Sequence, residues 1–129
     1  MIYFIVFNLY ILLSLSLLII KIKKAKIVAD EDLCLNKLDI HHKNTICIYQ
    51  NNSKYLFSVL DIRKIIYNAL TNATRDFFTE PLAVKNAYNN LPFTKSNLYN
   101  IYFYITFNTH YNIDLFLKYF ALVFDLNLF

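Results

Sequence analysis

The stretch TICIYQNNSKYLFSVLDIRKIIYNAL, Thr45 to Leu70, changes its hydrophobic period once. Up to Val59 it reads as a hairpin. Ile46, Ile48, Leu56, Phe57 and Val59 are β-formers, and Asn51-Asn52-Ser53-Lys54 is turn chemistry. The chain contains no glycine, so asparagine must supply any left-handed backbone the turn needs. From Asp61 the period becomes helical. Asp61 is placed to cap the helix, and Ile62, Ile65, Ile66, Ala69 and Leu70 fall on one face of a helix ending near Asn72. A hairpin feeding an amphipathic helix makes the fold class α+β.

Downstream, Thr74 to Pro92 has no sustained period. Pro81 and Pro92 disfavour helix in the residues before them, and Asn86, Asn89 and Asn90 suit tight turns, so a long loop is expected. Thr94 can cap a helix over about 95–109. Its stripe is Leu98, Ile101, Tyr102 and Ile105, widened by Tyr99, Phe103 and Phe107. Asn112 breaks the pattern, and a last helix over about 113–125 turns Phe116, Tyr119, Phe120 and Val123 inward. Residues 44–129 therefore read as a small α+β domain with one hairpin and about three helices.

Upstream, residues 21–43 read as a linker, basic and then acidic, with a loop or one short helical turn around Asp30-Glu31-Asp32. Residues 1–20 are nearly continuous Ile, Leu, Phe, Val and Tyr, interrupted by Asn8, Ser14 and Ser16 and carrying no charged side chain. At ~1.5 Å per residue, about 20 residues cross a hydrocarbon core of roughly 30 Å. Three readings fit this segment: a membrane anchor, a core helix of the domain, or a spurious extension upstream of the true start, which would leave the protein soluble. The anchor is preferred, because the apolar surface runs all the way round. Lys21, Lys23, Lys24 and Lys26 follow it directly, and the positive-inside rule then puts the C-terminal domain in the cytosol. A cleaved signal peptide would want a basic start and a shorter apolar core.

Composition excludes several function classes. Without glycine there is no phosphate-cradling loop of the Rossmann or P-loop kind. The net charge is +4, and the four lysines beside the apolar segment account for all of it, so basicity points to a membrane face and no nucleic-acid partner is expected. Phe, Ile, Asn, Lys and Tyr supply 65 of 129 residues, the mark of an AT-biased genome, which lowers the information carried by any single Asn or Lys.

Catalytic or cofactor chemistry finds little support. Cys34, His41, His42 and Cys47 lie close in sequence, but no C-x-x-C knuckle is present and no zinc or other cofactor is expected. Cys47 reads as a buried free thiol in a strand. Glu80 reads as a solvated loop acid and His110 as a residue of the turn between two helices. A cleft holding both would be needed to revive an enzyme.

The most distinctive text is Phe77-Phe78-Thr79-Glu80-Pro81-Leu82 followed by Asn86-Ala87-Tyr88-Asn89-Asn90-Leu91-Pro92-Phe93-Thr94 and the aromatic helix to Tyr102. It resembles an uncharacterised family encoded by large DNA viruses of algae and protists, relatives of mimivirus, over about residues 30–129. Ala87 stands where that family has proline. The resemblance implies a viral origin and carries no mechanism. Asn86 to Thr94 is also similar in rhythm to the late loop of ubiquitin-ligase U-box domains, which implies recruitment of a ubiquitin-conjugating enzyme through Asn86–Phe93. Ala87 and Asn90 depart from that pattern, and an exposed apolar groove between 77–82 and 86–93 would favour it.

The expected function is a non-enzymatic, membrane-tethered interaction or structural module. Its partners would be the membrane through residues 1–20 and a protein not identified by the sequence. The expected interaction loop comprises Glu80, Pro81, Asn86, Tyr88, Asn89, Leu91, Pro92 and Phe93. In one version Asn86 and Asn89 bond the loop's own amides while Tyr88, Leu91 and Phe93 pack inward; in the other, Leu91 or Tyr88 stays outward as an anchor for a partner.

Overall fold

The computed structural model describes residues 2–72 and 80–129. The chain is an α+β protein. Its order is α1 (Ile2–Lys24), β1 (Ile27–Ala29), β2 (Thr45–Gln50), β3 (Ser53–Ser58), α2 (Val59–Leu70), α3 (Lys95–Asn108) and α4 (Asp114–Ala121). The expected hairpin is β2–β3, closed by a turn of two residues. Asn51 and Asn52 both hold positive φ, 52° and 59°, as a two-residue turn matched to strand twist requires. Ser53 and Lys54, expected in the turn, belong to β3 and pair with Gln50 and Tyr49.

Helix α2 starts three residues earlier than its sequence suggests. The cap is Ser58, whose Oγ accepts the Asp61 amide at 3.1 Å. Strand passes to helix with no connecting residue. Asp61 is instead buried in the first turn, where its Oδ2 accepts the Leu33 amide at 2.9 Å and ties down the segment before the hairpin. The helix face itself is as expected, with Ile62, Ile66 and Leu70 buried and Ile65 and Ala69 packed at the margin.

The linker contains a strand. β1 pairs parallel with β3 through Ile27 and Ala29, giving the sheet order β1-β3-β2. Three residues show no period, and most of their side chains are exposed, so hydropathy carries no trace of the pairing. Asp30-Glu31-Asp32 then enters a turn. Asp32 Oδ1 accepts the amides of Cys34 and Asn36, and the Asn36 bond foremost holds its carboxyl below the usual range.

Ile46, Ile48, Tyr55 and Phe57 face a core completed by α2, α3 and α4. Thr94 caps α3 as expected, its Oγ1 accepting the Asn97 amide at 3.2 Å. α3 and α4 meet through rings: Tyr102 stacks on Phe120 with centroids 4.0 Å apart, and Tyr102 meets Phe116 edge-on at 5.5 Å. Two expectations fail here. Phe103 and Phe107 do not widen the core; both are exposed and stack on each other outside it. Val123 is exposed as well. α4 ends at Ala121, Val123 and Phe124 turn left-handed with φ of 55° and 54°, and the reversal buries Phe124 against Tyr99 and Tyr119 in Val123's place. The left-handed region is costly for a β-branched residue. Burial of a whole phenylalanine ring is worth about 1.5–3 kcal/mol and offsets that cost.

α1 takes no part in the core. None of its residues is buried, which removes the core-helix reading of residues 1–20. It is long and apolar enough to cross a membrane.

Candidate functional site

The loop nominated by the sequence is held by one residue of the hairpin. Gln50 is buried at the end of β2. Its Nε2 donates to the Pro92 carbonyl at 2.8 Å, and its Oε1 accepts from Asn86 Nδ2 at 3.0 Å and Asn89 Nδ2 at 3.2 Å. Both asparagines use their other amide atom on the loop itself: Asn86 Oδ1 accepts the Tyr88 amide and Asn89 Oδ1 the Leu91 amide, each at 2.9 Å. Main-chain bonds from Asn86 to Leu91 and from Phe93 to Val84 close the ends, and Asn90 takes the left-handed corner at φ 58°. A glycine-free chain thus holds this tight loop with asparagine side chains and one glutamine.

The named residues divide. Asn86 is fully buried, at 0% exposure, and Phe93 is buried edge-on against Phe57. Tyr88 is half-buried on Phe57 and Tyr55, and its hydroxyl donates to the Glu31 carbonyl. Burial first, then the carboxylates of Asp61, Asp32, Glu31 and Asp30, push the Tyr88 phenol upward, so it stays a neutral donor at physiological pH. Glu80 and Pro92 are exposed and Pro81 is intermediate. Leu91, expected to pack inward in the first version of the loop, is 42% exposed, because its amide is turned in to Asn89. Asn89→Ala should therefore lower stability by about 1 kcal/mol, and Leu91→Ala should leave the melting temperature within a degree or two. Thermal melts of the two variants check this.

The chemistry-bearing residues are not brought together. Among the described residues no group of three His, Cys, Asp or Glu is placed to hold a metal ion. Cys47, expected to be buried, is exposed, as is Cys34. It lies between Ile46 and Ile48, which face the core, so alternation turns it away. Neither Glu80 nor His110 lines the pocket between α2 and α4 or the one beside Phe129. Phe77, Phe78 and Thr79, which the sequence reading joined to the loop, lie outside the described residues.

A second surface escaped the sequence reading. α2, α4 and the turn before α4 enclose an open groove of about 550 Å³. Its floor is Ile66, Ile105 and Phe116, and its walls carry Leu60, Tyr67 and Ile113. Arg63 lines it too. Its Nη2 donates to the Asn112 carbonyl at 2.9 Å and its guanidinium lies 4.6 Å over the Tyr111 ring. Leu60, Lys64 and Tyr67 stand at i, i+4 and i+7 of α2, a second stripe beside the core stripe that was legible in principle. The groove is mostly apolar, with one pinned cation, and is suited to contact rather than bond making.

No protein-family model, no curated protein and no solved structure matches this chain.

Proposed function

We propose that this protein is a non-enzymatic interaction or structural module tethered to a membrane by α1, with the α+β domain on the cytosolic face. The observation that carries the reading is the contrast between α1 and the rest. Twenty-three helical residues bury nothing against the domain, and a helix apolar on every side has no stable place in water. Lys21, Lys23 and Lys24 close its C-terminal turn, where cations both complement the helix dipole and mark the cytosolic end of a span. Only Ala25 and Lys26 separate the helix from β1, and the Lys54 amide bonds the Lys26 carbonyl at 2.8 Å. The sheet edge therefore sits directly at the lipid headgroups. The fixed loop and the α2–α4 groove are the surfaces it offers to a protein partner.

The test is fractionation of the full chain expressed in cells. The full chain should sediment with membranes and stay there through alkaline carbonate, leaving only with detergent. Full-length protein in the soluble fraction without detergent contradicts it.

A further inference from the structure

Asn8 is the one residue of α1 with a side-chain amide, and α1 leaves it exposed. Ser14 and Ser16, the serines of the span, satisfy themselves by donating to the Tyr10 carbonyl at 3.0 Å and the Leu12 carbonyl at 2.9 Å; Tyr3 and Tyr10 are the remaining side chains of the span with a polar atom. Among the described residues the Asn8 amide makes no such bond. Its depth follows from the lysines. Lys21 fixes the cytosolic end, and Asn8 stands thirteen residues before it. At ~1.5 Å per residue that is about 20 Å into a core of roughly 30 Å, past the midplane and still about 10 Å short of the far interface. A side chain with one methylene cannot snorkel from there to water, as a lysine would.

Resting on the tether reading, we propose that α1 pairs with α1 of a second copy of this chain, with Asn8 bonded to Asn8 across the interface. Three observations select a second copy as the occupant. A carboxamide is donor and acceptor at once, so two of them satisfy each other. The lysines orient every copy the same way, which brings Asn8 to one depth in all of them. Phe4, Ile11, Leu15 and Leu18 share the face of Asn8 at alternating spacings of four and three, so an apolar seam for a parallel partner runs through the amide. The lysines of neighbouring copies repel, but over a Debye length of about 8 Å that repulsion is screened at physiological salt. Pairing would hold two domains side by side on one membrane face and present two grooves to one partner.

The experiment uses the full chain, labelled with donor or acceptor dyes on its exposed cysteines and reconstituted in phosphatidylcholine vesicles. Energy transfer is followed as the lipid-to-protein ratio rises. Wild type and Asn8→Gln should keep transfer to about tenfold greater dilution than Asn8→Leu, with Ser14→Leu behaving as wild type. Equal transfer in wild type and Asn8→Leu, or a wild type that is monomeric while resistant to carbonate, overturns the pairing. A chain that carbonate strips from the vesicles overturns the tether reading, and the pairing with it.

Discussion

Ile66→Asp should abolish the cooperative melt of the domain. Ile66 is 3% exposed in the core shared by the sheet, α2, α3 and α4. An aspartate there must either ionise without a partner or take up a proton at a cost, and it also removes a packed isoleucine. The combined penalty is about 4–5 kcal/mol or more, against a total stability of roughly 5–15 kcal/mol for a domain. Near-ultraviolet circular dichroism suits the measurement, because the rings around Tyr102 and Phe120 report tertiary packing, while α1 adds far-ultraviolet signal that does not report on the domain's core. Ile66→Val is the control and should cost about 1 kcal/mol. An Ile66→Asp variant that melts within a few degrees of wild type would show that this face of α2 is misplaced.

Asn86→Ala should be the most damaging change in the loop, at about 2–3 kcal/mol. Asn86 is fully buried and bonds in both directions, to Gln50 Oε1 and from the Tyr88 amide, so its loss strands a main-chain donor beside the core. Gln50→Ala removes three bonds at once and should cost a similar amount. Because both substitutions break the same network, the double variant should fall short of the sum by about 1 kcal/mol. Additive losses, read from denaturant melts of the four proteins, would mean the loop is not held through Gln50.

What the sequence revealed was what period and capping encode. The hairpin, the core faces of α2 and α3 and the Thr94 cap are local, and each is written within a few neighbouring residues. The rest depends on distant partners. In Ser58-Val59-Leu60-Asp61 the sequence favours the wrong residue as cap, because Asp61 is claimed by the Leu33 amide from another segment. β1 is too short and too exposed to leave a period. Val123 and Phe124 exchange places at a left-handed turn that no pattern in a glycine-free chain announces. For the site, the asparagines were legible as makers of a tight loop, whereas Gln50, which orders them, lies 36 residues before Asn86 and reads only as the end of a strand. The groove was missed for a similar reason: Ile113 and Phe116 reach it only after the chain has turned back through α3.

The two thiols give the most direct test of where the domain lies. The cysteines of the chain, Cys34 and Cys47, are both exposed and both lie in the segment after α1. In intact cells expressing the full chain at the surface membrane, a membrane-impermeant maleimide should fail to label either thiol. The same reagent should label the chain once the membrane is permeabilised, and the double variant Cys34→Ser, Cys47→Ser should lose that signal. Labelling of either cysteine in intact cells would place the domain on the opposite face and contradict the account.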